Sequence, residues 1–233
     1  MNALAGGGSF VSLPAMIAAG VPSVQANASS TVALFPGGLA SAWAYRKGLG
    51  PVGAVSLRPL MVVTLLGGIV GAALLLLTPT ATFDFILPWL LLVAFLALSF
   101  GRSLGEWLRL RFHIRPWAVL TIQFWLGIYG GYFGGAVGIM MMAVWGLLDS
   151  RDLKSLSAPR TLLVSTANLM AVAIFALAHA IRWPAAIVML LTATAGGYVG
   201  AQIGLRAQAR VVRAGTLLFT AGITLAFFFR AYH

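Results

Sequence analysis

Long apolar runs are the feature that most constrains how this chain folds. Stretches of roughly 17 to 25 residues carry little charge, and this is the length that an α-helix needs to cross a bilayer. The runs lie near residues 26–45, 56–77, 84–101, 158–180, 185–205 and 212–230. Of the whole chain 61% is hydrophobic and only 8% is charged, against about 25% charged residues in a soluble domain. The sequence therefore predicts an all-α integral membrane protein.

Two further apolar pieces do not fit a single straight span. Ser9–Ala19 is too short to cross a bilayer, whereas Trp117–Leu148 is too long for one crossing and is interrupted by glycines such as Gly130, Gly131 and Gly134. Irregular backbone at membrane depth is tolerated where protein buries it or where it lines a cavity. We expect each piece to belong to a re-entrant hairpin.

The positive charges indicate the topology. The 15 Lys and Arg residues lie in short loops between apolar runs, so the formal charge of +11 predicts topology signals and no nucleic-acid partner. If Trp117–Leu148 is re-entrant, 13 of the Lys and Arg residues lie on one side of the membrane and only Arg182 and Arg230 lie on the other. If it crosses once, the two sides hold 9 and 6 of these residues. Because cytoplasmic loops carry the excess, we predict a multi-pass protein of the cell (inner) membrane, with cytoplasmic basic loops and an outside C-terminus.

A six-residue echo indicates an internal duplication. The sequence of Gly67–Ala72 returns almost unchanged at Gly196–Ala201, 129 positions later. Similarity at a fixed offset within apolar runs is typical of duplicated transporters. We predict two repeats, 1–115 and 116–233, which form one transmembrane domain and are inverted because each contributes three crossings. The echo itself is typical of close helix packing, and we interpret it as a packing seam.

The two predicted hairpins differ in their first limb. About 17 apolar residues, from Trp117 to Phe133, precede Gly134, but only Met1–Ala5 precede the first glycine cluster. We expect the first repeat to be N-terminally incomplete in this sequence.

Several short motifs in a fixed order resemble the sulfite exporter TauE/SafE family. They are Gly6-Gly7-Gly8-Ser9, Leu13-Pro14, Gly20-Val21-Pro22 and Ala26–Thr31 in the first half, and Gly130–Gly138 and Thr166-Ala167-Asn168 in the second. The resemblance covers essentially the whole chain and implies a helical permease for small sulfur-containing or organic anions such as sulfite and sulfonates. The second half differs from the first at one motif: it has Ala158-Pro159-Arg160 where an Ala-Asn pair like that of the first half is expected.

The glycine breaks predict an anion site without a buried cation. A break followed by a helix start directs free backbone N–H groups and about half a positive charge into a cavity. Polar side chains of adjoining helices are expected to complete the site. The candidate substrate-binding residues are Gly7, Gly8, Ser9, Asn27, Ser30, Thr31, Gln123, Gly134, Gly135, Gly138, Arg160, Thr166 and Asn168.

Most of these candidates also have a purely structural interpretation. Glycines at four-residue spacing are common at helix contacts, and Ser30, Thr31 and Thr166 can bond back to their own helix. Arg160 can serve as one of the cytoplasmic basic residues. Met140–Met142 lack accompanying His or Cys and are interpreted as apolar filler.

The acidic residues limit the mechanism. Asp84, Glu106, Asp149 and Asp152 all lie at or beyond a span end, so the sequence predicts no carboxylate at the membrane centre. Coupling to protons or sodium commonly uses an intramembrane acid. Facilitated anion export, or coupling through protonation of the substrate, therefore fits better.

Other function classes have less support. An intramembrane enzyme needs a catalytic constellation at depth, and His113, His179 and His233 lie near span ends. We expect no enzyme activity, no metal and no cofactor; the chain contains no cysteine. The predicted partners are a small anion and the lipid bilayer. The alternative is a non-transporting membrane assembly or scaffold protein.

Overall fold

The computed structural model describes residues 8–52, 55–111, 115–145, 156–206 and 209–232, which are almost entirely helical. The helices are α1 (Ser9–Ala18), α2 (Ser23–Tyr45), α3 (Leu57–Leu77), α4 (Thr80–Arg111), α5 (Pro116–Tyr132), α6 (Val137–Trp145), α7 (Ser157–Leu177), α8 (Trp183–Arg206) and α9 (Ala209–Tyr232). A 3₁₀ turn, Arg46–Gly48, follows α2, and Val52 and Val55 form an isolated antiparallel bridge.

Local sequence signals determine several helix ends. Pro116 opens α5 and Pro159 lies in the first turn of α7, where a missing N–H costs nothing. Beyond α1, Gly20 has φ +82° and the Val21 N–H bonds the Met16 carbonyl at 3.1 Å, an end that favours glycine. The beginnings and ends agree with the predicted runs to within a few residues, except that α4 continues to Arg111 because no proline follows Pro88 in this helix.

Within the described part of the chain, four helical segments are long and apolar enough to cross a membrane. They are Leu57–Leu77, Thr80–Phe100, Ser157–Leu177 and Arg213–Tyr232. Ser9–Ala18 and Trp183–Gly196 are shorter apolar helices. The prediction of a helical integral membrane protein is confirmed.

The helix contacts recur in corresponding pairs. Helix α2 packs against α7 and α8, and α7 also packs against α3. The short helix α1 contacts α2 and α9, and the short helix α6 contacts α7 and α4. Each short helix therefore contacts the long helix that follows it and the last long helix of the other half; α1 also contacts α8, and α6 also contacts α5.

A seam of glycines joins α3 to α5. A Cβ added at Gly71 would overlap the Ile128 carbonyl oxygen and lie 2.7 Å from the Tyr132 nitrogen, and one added at Gly127 would lie 2.8 Å from the Thr64 carbonyl oxygen. The two backbones are thus in direct contact, as in other small-residue helix pairs. The interpretation of Gly67–Ala72 as a packing seam is confirmed. The same interpretation of the second copy is not borne out at Gly196, where an added Cβ has no described atom within 4 Å.

Candidate functional site

The chain interrupts its helical course at Phe133–Ala136, between α5 and α6; we call this segment the break. Gly134 has φ +74° and Ala136 has φ +58°. A left-handed conformation costs a non-glycine residue about 1–2 kcal/mol, and such outliers cluster at functional sites. No described residue accepts a hydrogen bond from the N–H groups of Gly135 and Ala136, as expected for groups that precede a helix.

Asn27 connects the first half of the chain to this break. Its Nδ2 donates a hydrogen bond of 2.8 Å to the carbonyl oxygen of Tyr132, the last residue of α5. The residue is 1% exposed. Because a carbonyl at a helix end has no partner within its own helix, this bond anchors the start of the break to α2.

Thr31 and Asn168 both lie close to Gly134. A Cβ added at Gly134 would be 3.6 Å from Thr31 Oγ1 and 3.9 Å from Asn168 Oδ1. The Thr31 hydroxyl donates to the Asn27 carbonyl oxygen at 3.0 Å, which leaves its oxygen able to accept. Asn168 Oδ1 is buried and has no hydrogen-bond partner in the described part of the chain. The structure thus brings Asn27, Thr31 and Asn168 together around the break.

Asn168 lies in the central part of α7. It lies 11 residues after Ser157 and 9 before Leu177, the first and last residues of the helix. At 1.5 Å per residue, both ends of the helix are about 14 to 17 Å away. Asn168 is therefore near the middle of an apolar helix that is long enough to span a bilayer.

Gly135 and Gly138 are positioned by neighbouring side chains. A Cβ at Gly135 would lie 2.9 Å from Cζ of the Phe133 ring, and one at Gly138 would lie 3.4 Å from Arg160 Cδ. The Arg160 stem therefore lies against the start of α6. No described residue hydrogen-bonds its guanidinium group. The arginine therefore brings a positive charge near the helix start that follows the break.

The first glycine cluster is tied to α2 by hydroxyl groups. Ser30 Oγ and Ser12 Oγ are hydrogen-bonded to each other, and Ser12 Oγ donates to the Gly8 carbonyl oxygen at 3.1 Å. Ser9 is the first residue of α1, and Gly7 lies outside the described residues. Sequence reasoning missed Ser12, which lies one helical turn after Ser9 and could have been found from that spacing.

Gln123 bonds to side chains of two other helices, whereas Thr166 bonds within its own helix. Gln123 Nε2 donates to Thr64 Oγ1 at 2.8 Å, and its Oε1 accepts from Trp145 Nε1 at 3.3 Å. Thr166 Oγ1 donates to the Leu162 carbonyl oxygen at 2.9 Å. These contacts are those of packing groups, and they place Gln123 in a buried network that joins three helices.

The described residues contain no group of three or more His, Cys, Asp or Glu side chains that could hold a metal ion. Backbone amides, hydroxyls and carboxamides are the groups that the break presents. They suit recognition of a small polar molecule by hydrogen bonding.

Spanning helices with a broken segment and buried carboxamides beside it are typical of a membrane protein of the transporter class. The family model described as "Sulfite exporter TauE/SafE" matches residues 1–227. The chain therefore belongs to the sulfite exporter TauE/SafE family.

Three curated relatives support this assignment. A "Probable membrane transporter protein" of Haemophilus influenzae is 31% identical over 209 residues, which are 88% of this chain and 78% of the relative. A "Probable membrane transporter protein ORF9" of Sinorhizobium sp is 26% identical over 97% of this chain and 85% of its own. The "Probable membrane transporter protein YfcA" of Escherichia coli K12 is 28% identical, with 88% and 75% covered. No solved structure matches the chain.

Proposed function

We infer that the protein is a permease that exports small anions of the sulfite or sulfonate type, or facilitates their passage, by alternating access around the break. One observation carries the proposal: Asn168 Oδ1 is buried without a partner, beside a break whose Gly134 has positive φ. An unsatisfied buried carboxamide is costly. A bound ligand that donates a hydrogen bond would satisfy the oxygen, and after rotation of the amide its N–H₂ group would donate a hydrogen bond to a bound anion.

The free amides of the break favour an anion. The N–H groups before α6 and the positive end of its dipole attract negative charge, and Arg160 adds a full positive charge beside Gly138. Neither contribution requires a buried cation at the centre. The proposed site comprises the break, Gly138, Asn27, Thr31 and Asn168, with Arg160 at its approach.

The contact pattern of the helices supports a two-fold repeat, and the distribution of Lys and Arg supports its inversion. Under this proposal α1 corresponds to α6, α2 to α7, α3 to α8 and α4 to α9. The contacts of α2 with α8 and of α7 with α3 are then the same contact seen from each half. The short helices α1 and α6 are the inner limbs of two re-entrant hairpins, and the basic loops face the cytoplasm.

Transport assays in proteoliposomes test the function. Sulfite, an alkyl sulfonate, sulfate and a carboxylate are compared, and we expect flux of the first two to exceed that of empty vesicles. Asn168→Leu should lower flux about tenfold, the equivalent of one hydrogen bond to a charged group. The matched control is Thr161→Val on the same helix, whose hydroxyl bonds the Ser157 carbonyl oxygen at 2.7 Å. Absence of flux for all four anions, or equal loss in both variants, would contradict the proposal.

Single-cysteine labelling tests the topology independently. The chain has no native cysteine, so Leu104→Cys and Ser150→Cys each provide one reactive thiol. Both should be labelled by a membrane-impermeant maleimide from the cytoplasmic face only. Labelling from opposite faces would exclude the re-entrant topology but would leave the transport assay standing.

A further inference from the structure

A cavity of about 320 Å³ lies between the beginning of α4 and the end of α9. The residues that line it are Ala81, Asp84, Phe85, Phe227, Arg230 and Ala231. Asp84 lies four residues after Thr80, where α4 begins, and Arg230 lies two residues before Tyr232, where α9 ends. At 1.5 Å per residue the cavity is about 3 to 6 Å from the helix ends. It is therefore at the edge of the apolar layer and not at the mid-depth break.

Aromatic side chains beside the cavity place it at the level of the lipid head groups. The ring centroids of Phe85 and Tyr232 are 4.9 Å apart, and those of Trp89 and Phe228 are 5.2 Å apart. Trp89 Nε1 donates a 2.8 Å hydrogen bond to Tyr232 Oη. Trp and Tyr are enriched where a membrane protein crosses the interface between hydrocarbon and water. Trp89 is 52% exposed and Phe85 is 55% exposed, so this face is available to lipid.

The cavity carries one charge of each sign, and the two charges do not pair. Asp84 and Arg230 both line it, yet no ion pair joins them at 4.0 Å or less. The Arg230 guanidinium carbon instead lies 5.8 Å from the centroid of the Phe227 ring. Separated charges in a partly apolar setting are favoured when a ligand supplies the opposite charge for each. A ligand with a cation and an anion a few bonds apart meets this requirement.

We propose that this cavity binds the head group of a zwitterionic phospholipid that has a primary ammonium, namely a phosphatidylethanolamine. The ammonium donates hydrogen bonds to the Asp84 carboxylate, and the phosphate accepts them from the Arg230 guanidinium, a strong charge-assisted pairing. The acyl chains lie along the exposed apolar face that includes Phe85. An anionic lipid satisfies Arg230 but is repelled by Asp84, and a choline head group has no N–H to donate to the carboxylate.

Native mass spectrometry of the full chain tests this binding. The protein is taken into micelles that contain equal amounts of phosphatidylethanolamine, phosphatidylcholine and phosphatidylglycerol with identical acyl chains. We expect one retained phosphatidylethanolamine, preferred about tenfold over each of the others, since one hydrogen bond to a charged group changes affinity by about that factor. Equal retention of the three lipids by the unmodified protein would overturn the proposal without any variant.

Charge-neutralising variants locate the site. Asp84→Asn and Arg230→Gln should each reduce the preference about tenfold. Glu106→Gln on α4 and Arg213→Gln on α9 make the same charge changes farther along the same helices and should leave it unchanged. A preference that survives Asp84→Asn and Arg230→Gln would exclude this cavity as the site.

A soluble probe distinguishes a lipid from a free zwitterion. Phosphatidylethanolamine should raise the midpoint of thermal denaturation of the purified protein, and millimolar O-phosphoethanolamine should not, because it lacks the acyl chains that contact the exposed face. If the soluble compound raises the midpoint as much as the lipid, the assignment to a lipid is overturned. Neither result depends on transport activity, so this proposal and the proposed function can fail separately.

Discussion

Replacing Gly71 by alanine is expected to separate α3 from α5. The added Cβ would overlap the Ile128 carbonyl oxygen and lie 2.7 Å from the Tyr132 nitrogen, whereas ordinary contact begins at 3.4 Å. Both neighbouring atoms belong to the backbone, so no side chain can rotate away. Helix α5 must therefore shift by at least the difference, about 0.7 Å, and a gap of that size forfeits about a quarter to a half of each dispersion contact along the seam.

The same displacement strains the hydrogen bond across the seam from Gln123 Nε2 to Thr64 Oγ1, which measures 2.8 Å. Overpacking of this kind costs about 1–3 kcal/mol, and the backbone clash puts Gly71→Ala at the upper end. Alanine returns up to about 1 kcal/mol because it favours the helix more than glycine does. The net loss of stability should be about 2 kcal/mol.

The internal echo supplies the matched control. Gly196→Ala makes the same chemical change in the second copy of the motif, where an added Cβ has no described atom within 4 Å. It should be neutral or stabilising by up to about 1 kcal/mol. Thermal denaturation in mild detergent, followed by tryptophan fluorescence, measures both variants. A chain of this size shifts by about 2–4 °C for each kcal/mol, so the two midpoints should differ by several degrees. Equal midpoints would refute the assignment of the seam.

Three further outcomes are expected. Gln123→Leu should lower stability by about 1–3 kcal/mol, because Thr64 and Trp145 lose a buried partner; denaturation measures this, and unchanged stability would contradict the network. Gly134→Ala should cost about 1–2 kcal/mol through its left-handed backbone alone, while Gly134→Asn, which tolerates that conformation, should cost less; the reverse order would disprove backbone strain as the cause. Asn27→Leu should destabilise the protein by about 1–3 kcal/mol by leaving a buried carbonyl unbonded, and denaturation midpoints equal to the unmodified protein would count against the anchor.

Local signals made most of the helices predictable. Pro116 and Pro159 mark helix starts, and Gly20 marks an end, since each of these residues favours its position for steric reasons that act within a few residues. The end of α4 was less predictable. Charge stops the apolar run near residue 101, but the helix continues to Arg111 because charge does not break a helix as proline does.

Tertiary contacts made the site harder to predict. The sequence placed Asn27 and Asn168 among the candidate residues, and the structure brings both to the same break. The bond from Asn27 to the Tyr132 carbonyl joins residues 105 positions apart, a contact that depends on how the halves pack. The hydrogen-bond partners of Gln123 could not be predicted from the sequence either, because Thr64 and Trp145 lie far from it along the chain. Substrate contact by all these residues stays a prediction.

The glycine seam also determines which parts of the protein can move. Helix pairs slide past one another through changes of side-chain rotamer, but Gly67 and Gly71 have no rotamers and their backbones touch α5 directly. We therefore expect helices α3 and α5 to move together when the protein changes conformation. Relative motion is left to interfaces with side chains between the helices, of which the contact of α2 with α7 lies next to the break.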